Sequence, residues 1–347
     1  MSDPTTTAPR VSVVIPCRNE EHYIRTCVSS ILSGQEPAGG MEVLVADGMS
    51  DDGTRTVLEQ LCREHPNVRV LDNPQRSIPC GLNVGIRAAR GEVIVRCDAH
   101  SWYAEDYVVR CVEALDRSGA DAAGGPWIAR GEGYVRRVVS AAFRSPFGMG
   151  GGKAHDADYE GPVDTVYLGC WRKARLIELG LFDEEMIRNE DDELNLRIKR
   201  SGGVIYQSRD VHSAYTPRNR LLQVFRQYYQ YGFWKVCVIR KHRIPASPRH
   251  LVPSLFVLFL ALGLVAALMH PVLAWGYLAV LGLYILGNLA ASMKAASREG
   301  WDLLPLLPVV FIIFHVAYGL GFLHALLHFV VLRRGASQAR AASSLTR

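Results

Sequence analysis

Charge is what this sequence lacks over its last third. From 251 to 332 the only formal charges are Lys294, Arg298, Glu299 and Asp302. Paired cysteines are lacking as well. The eight cysteines (Cys17, Cys27, Cys62, Cys80, Cys97, Cys111, Cys170 and Cys237) include no C-x-x-C pair, which argues against a zinc ribbon or disulfide scaffold and for a reducing compartment. Most lie inside apolar runs, as small core residues do. The glycine-rich stretch at 145–162 contains no GxxxxGK[ST] pattern, so it is not a P-loop. Its composition predicts a loop, either a mobile flap over a site or a plain surface loop. The first ten residues, MSDPTTTAPR, contain no apolar leader, so the soluble part is expected to stay in the cytosol.

The 347 residues allow about two domains. The net charge of +5 does not mark a nucleic-acid binder, because Arg240, Lys241, His242, Arg243 and Arg249 gather just before the apolar region. That is where a membrane protein meets anionic lipid. Residues 251–269, 271–291 and 303–332 each approach or exceed the ~20 apolar residues of a spanning helix. Three spans leave Arg333, Arg334, Arg340 and Arg347 outside, against the positive-inside rule. Gly319 and Gly321 then suggest a long tilted helix or a re-entrant pair over the last segment. Residues 216–249 interleave aromatic and basic side chains and read as amphipathic interfacial helices. The expected order is a catalytic domain over 1–215, interfacial helices over 216–249, about three membrane helices over 250–332, and a basic tail over 333–347.

Residues before 215 alternate strand and helix. Continuous apolar strands at 11–16, 41–48, 68–73, 91–99 and 122–129 flank amphipathic helices. This predicts an α/β fold with a parallel sheet covered on both faces. Ligands in such folds bind at the carboxyl ends of strands, where Asp47, Asp72 and Asp98 fall. Asp98 and His100, at i and i+2 of an extended segment, point the same way and suit Mg²⁺ or Mn²⁺ completed by diphosphate oxygens. A turn-capping Asp beside a surface His gives the same spacing. Asp47 precedes Gly48, as in a simple turn, or it bonds a base or ribose. The run N-E-D-D-E at 189–193 opens a helix, where the macrodipole alone favours carboxylates; one of them can also act as a general base.

Four segments together carry a resemblance: VSVVIPCRNEE, VLVADGMSDDGT, SIPCGLNVGIRAARGEVIVRCDAHS and NEDDELNLRIKRSG. In this order they resemble glycosyltransferase family 2, most like bacterial exopolysaccharide enzymes of the succinoglycan type. The resemblance implies a GT-A, Rossmann-like domain that binds a nucleotide-diphospho-sugar. It implies that Pro16, Arg18, Glu20 and Asp47 hold the uracil and ribose of a UDP-hexose, with Arg76, Asn83 and Gly85 lining the nucleotide side. Asp98 matches the first carboxylate of the family's DxD motif, and His100 replaces the second. Asp191, beside Glu190, matches the catalytic base. Trp171 falls on the acceptor side, and His212 is a further candidate metal ligand. Gln230–Trp234 is similar to the QxxRW motif of processive synthases, with Phe233 in place of Arg.

The expected activity is inverting sugar transfer, with a divalent cation, to a lipid-linked or polysaccharide acceptor. The expected place is the cytosolic face of a bacterial plasma membrane. A processive synthase and a non-catalytic sugar-nucleotide-binding protein are the alternatives. The few intramembrane polar residues, Asn288, His315, His324 and His328, argue against a transporter.

Overall fold

The computed structural model describes residues 8–244 and 247–332, so the expected tail over 333–347 lies outside the described residues. The chain begins β1 (Val11–Cys17), α1 (Ile24–Leu32), β2 (Met41–Asp47), α2 (Thr54–Glu64), β3 (Val68–Asp72), α3 (Ile78–Ala88), β4 (Val93–Arg96) and β5 (Trp102–Tyr103). It continues through α4 (Tyr107–Ser118), β6 (Ala122–Gly125), α5 (Tyr134–Arg144), α6 (Pro146–Met149), β7 (Gly161–Pro162) and β8 (Tyr167–Arg172). Then come α7 (Lys173–Glu178), α8 (Glu190–Arg200), β9 (Ile205–Gln207) and β10 (Ser213–Ala214). Four long helices follow: α9 (Leu221–His242), α10 (Val252–Met269), α11 (Pro271–Glu299) and α12 (Leu307–Leu326).

These elements form two compact units. One comprises Met1–Trp127 and Asp156–Tyr215, the other Ile128–His155 and Thr216–Arg347. The single domain expected over 1–215 is therefore interrupted, because α5 and α6 belong to the second unit.

The first unit is built on an eight-stranded sheet of order β3-β2-β1-β4-β8-β6-β9-β7. β1 through β4 pair in parallel, as their apolar runs and intervening helices require. The sheet is not parallel throughout, since β8 enters antiparallel to both β4 and β6. Alternation assigns side chains to two cores. Val13, Val43 and Val95 pack on one face, and Val14, Leu44 and Ile94 on the other. α3 seats closely on β1, because a Cβ on Gly85 would collide with Cγ1 of Val14.

A buried polar knot ties the amino ends of these strands. Glu42 accepts from the Ser12 hydroxyl at 2.8 Å, from the Arg90 N–H at 2.6 Å and from the Arg90 Nε at 3.1 Å. Burial pushes the Glu42 carboxyl up, but the Arg90 and Ser12 hydrogen bonds outweigh it and hold the group below its ordinary value.

In the second unit, α9 runs as one long helix packed on α12. Gly232 meets the backbone of Tyr318, and Gly321 meets that of Tyr229. Such small residues let helix backbones approach closely. Gly319 does the same against Pro253, so these glycines mark contact points in a continuous helix and do not break it. The glycine-rich loop also differs from a free flap. Its α6 places Phe147 5.3 Å from the Phe311 ring and 5.0 Å from that of His315. Three helices, Pro248–Met269, Pro271–Glu299 and Leu307–Val331, have the length and apolarity to cross a membrane.

The Gly85 contact gives a stability test. Gly85→Val should lower the thermal midpoint of the first unit, with overpacking costing about 1–3 kcal/mol. Val14→Ala in the same chain should recover part of the loss, as read by paired melts of single and double variants. Purely additive losses would show that the two residues do not meet.

Candidate active site

The carboxyl ends of β1, β2 and β3 open into loops that each carry a left-handed residue: Asn19 (φ 52°), Met49 (φ 55°) and Arg76 (φ 57°). Such backbone persists only where the surroundings over-determine it, and it clusters at functional sites. Here hydrogen bonds between loops impose it. Asn19 N–H donates to Ser50 Oγ at 2.8 Å, Asp51 N–H donates to Asn19 Oδ1 at 2.9 Å, and Glu20 N–H donates to Thr54 Oγ1 at 2.8 Å.

Asp47 organises this edge. It is fully buried; the Ser50 hydroxyl donates to Oδ1 at 2.5 Å and Arg55 Nε donates to Oδ2 at 2.7 Å. Arg55 also pairs with Asp72. Both carboxylate oxygens are engaged, so Asp47 shapes the turn. Pro16, Arg18 and Glu20 are half-buried beside it, and Arg76 is exposed.

The next edge position concentrates charge. Arg96 ends β4 at 6 % exposure. Its Nε donates to Asp98 Oδ1 at 3.2 Å and its Nη2 to Glu190 Oε1 at 3.1 Å. Burial opposes the guanidinium charge, but Asp98, Glu190 and Asp191 outweigh it and hold the group firmly protonated. One buried cation thus joins the end of a strand to the first turn of α8. Tyr103 clamps the turn between them: its oxygen accepts from Asp98 N–H at 2.6 Å and lies 2.9 Å from Asp98 C=O.

Asp191 follows Glu190 in α8, whose first turn also carries Asp192 and Glu193. Burial first, then the charges of Glu190 and Asp192, push the Asp191 carboxyl up to about 7, while Arg96 and the Asp192 N–H pull it down. A carboxylate poised there takes up and releases a proton near neutral pH, as a general base requires.

Asp98 also fits a divalent cation. Arg96 engages only Oδ1, and Mg²⁺ typically binds one or two carboxylates with phosphate oxygens and water filling the shell. His100 Nδ1 lies 3.6 Å from Glu20 Oε1. His212 does not join them: it is exposed, and among the described residues no three His, Cys, Asp or Glu side chains form a cation cage.

Other residues singled out in the sequence are buried. The Asn83 amide donates to Phe182 C=O at 2.8 Å and to Glu184 Oε1 at 2.9 Å, and accepts from Phe182 N–H at 2.9 Å. It braces the chain leading to α8, and Gly85 packs against Val14. Trp171 is 2 % exposed and meets Phe182 edge-on, because its place on β8 turns it into the core. Gln230 and Trp234 are buried in the second unit.

Two groups had no individual sequence signal. Arg96 closed an apolar strand and read as part of it. Trp127 stacks on Tyr167 at 5.8 Å, and the Tyr167 hydroxyl lies 2.7 Å from Ser101 Oγ, setting an aromatic wall beside the Asp98 turn.

Residues 12–170 match the family model described as Glycosyl transferase family 2. The succinoglycan biosynthesis protein ExoA of Rhizobium meliloti (strain 1021) is 29 % identical over 331 residues, covering 95 % of this chain and 98 % of that protein. A dolichyl N-acetyl-alpha-D-glucosaminyl phosphate 3-beta-D-2,3-diacetamido-2,3-dideoxy-beta-D-glucuronosyltransferase of Methanococcus voltae is 25 % identical, covering 91 % of this chain and 97 % of its own. The mannosyltransferase PcManGT from Pyrobaculum calidifontis, solved with GDP-Man and Mn²⁺, shares the fold at a TM-score of 0.59 and 20 % identity, with 92 % of this chain and 87 % of that one covered. The sheet, the strand-end loops and these relatives agree: the chain has a GT-A fold, and its residues 12–170 match glycosyltransferase family 2.

Proposed function

We propose that the enzyme moves a hexosyl group, with inversion, from a UDP-hexose to a hydroxyl of a lipid-linked saccharide at the cytosolic membrane face. The observation that carries this reading is Asp191, poised at about 7 beside the Arg96-bridged carboxylates Asp98 and Glu190. Asp191 takes the proton of the acceptor hydroxyl. The acceptor oxygen forms a bond to the anomeric carbon from the face opposite the diphosphate, and the bond to diphosphate breaks with its electron pair going to the leaving oxygen. Asp98, with His100 near it, is placed to hold a divalent cation (Mg²⁺ or Mn²⁺). The chemistry such an ion supplies when bound is neutralisation of charge on the departing diphosphate.

Arg18 and Arg76, on the strand-end loops, supply further positive charge to the diphosphate. The aromatic pair Trp127–Tyr167 gives the acceptor sugar a flat apolar platform. A lipid-borne acceptor is supported by the relatives. The Methanococcus voltae enzyme is named for a dolichyl-linked substrate and aligns through the apolar helices, and the Rhizobium meliloti relative is named for succinoglycan biosynthesis. Phe233, where the processive-synthase motif has Arg, favours limited transfer over polymerisation.

Asp191→Asn should leave the Kd for UDP-hexose within about two-fold and lower kcat by about 10²–10⁴-fold, the usual range for a general base. Unchanged turnover would remove Asp191 from the role. Asp191 works ionised, so kcat should rise with pH through about 7. Glu190→Gln removes a neighbouring negative charge and should move that limb to lower pH; Arg96→Gln removes the cation that lowers Asp191 and should move it higher. Shifts of opposite sign to these would overturn the electrostatic assignment. In calorimetry with UDP, chelation should weaken binding and Mn²⁺ should restore it. Asp98→Asn should abolish the Mn²⁺ response and His212→Ala should keep it.

A further inference from the structure

All three apolar helices are long enough to cross a bilayer, but their surroundings differ. From Leu258 to Gly287 no residue of α10 or α11 is buried. The two pair with each other, with Phe259 5.4 Å from Tyr277 and Phe256 4.3 Å from Tyr284. They form a hairpin whose outer part, 258–283, is unburied, while Tyr284 near its root also meets Phe147 at 5.9 Å. α12 packs closely on the first turns of α10, where Gly319 meets Pro253 and Val257, and it touches α11 where His315 bonds Tyr284 at 3.0 Å and Asn288 donates to the Pro308 carbonyl at 3.1 Å.

α12 follows α9 in the same direction for most of its length. Tyr228 stacks on Phe314 at 3.9 Å, Gly232 meets Tyr318, Phe233 lies 5.2 Å from His324, and Arg240 sits 5.7 Å from the Phe329 ring. α9 carries Arg226, Lys235, Arg240 and Lys241, charges too costly for the bilayer centre. A helix held alongside α9 cannot thread that centre either. Its burial is one-sided: Val310, Phe314, Ala317, Gly321 and Ala325 are inside, while Val309, Ile312, Leu320 and Val330 are exposed.

We infer that only α10 and α11 cross the bilayer, and that α12 lies in the plane of one leaflet with its exposed apolar face set into the headgroup boundary. The occupant of that face is the lipid surface. The root of the hairpin fixes its level, and the basic end of α9 (Arg240, Lys241 and Arg243) complements anionic headgroups. Lengths agree. Beyond Val257, α10 continues to Met269 for ~18 Å at 1.5 Å per residue. With α12 seated ~5–10 Å deep, the tip of α10 then lies ~23–28 Å into a ~30 Å hydrocarbon core, close to its far side. Two crossings also return Arg333, Arg334, Arg340 and Arg347 to the side of Arg240–Arg249, as the positive-inside rule asks.

The test does not depend on activity. Single spin labels at Ile312, Leu320 and Val330, in a Cys62→Ser background reconstituted into vesicles with anionic lipid, should report equal shallow depths, while a label at Leu262 sits deep. A steady change of depth from 312 to 330 would overturn the inference. In a second measurement, an epitope at the C-terminus and one inserted after His270 should be cut by protease from opposite faces of sealed vesicles. Cleavage of both from the same face would mean three crossings.

Discussion

One buried guanidinium governs the catalytic edge of this enzyme. Arg96 sits where β4 ends and is bonded to Asp98 in front of it and to Glu190 across from it. Without it, carboxylates from two elements would repel in a poorly solvated space. Removing one partner of a buried pair is strongly destabilising because it leaves uncompensated charge. With it, α8 is drawn to the end of β4, and Asp191 keeps a proton affinity near neutrality. The same contact serves packing, electrostatics and the proposed chemistry.

Around that contact the structure separates support from exposure. Asp47, Asn83 and Gly85 belong to the family-like segments and Trp171 follows the matched region, and each holds a loop or fills a core. Asp47 fixes the β2 turn through Ser50 and Arg55, and Asn83 holds the chain at Phe182 and Glu184 on its way to α8. Such residues hold the loops around Asp191 and Asp98. The second unit follows similar logic. Its glycines are approach points between helices, and the few polar residues of its apolar helices, Asn288 and His315 among them, bond to neighbouring backbone.

The strands β1 to β4 and their helices were legible because their pattern is local. Runs such as V-S-V-V-I-P and V-I-V-R can only be buried from both sides, and the acidic residues after them mark the ligand edge. β8 was not legible. Y-L-G-C-W-R has neither a clean alternation nor a bounding turn, and it becomes a strand because β4 and β6 leave a slot for it. The excursion of 128–155 out of the first unit was hidden as well, since Gly-rich composition reports local flexibility and carries no information about a distant partner.

Legible in the sequence alone were the family resemblance, the acidic strand ends, the helix opening with Glu190 and Asp191, and the apolarity of three C-terminal helices. Each of these is a property of neighbouring residues. The tertiary structure alone decided that Arg96 is the bridge, that Asp47 and Trp171 are internal, and that α12 runs with α9. Those outcomes depend on which side chains far apart in the chain share one buried space, where a charge must find a partner and a glycine admits a backbone.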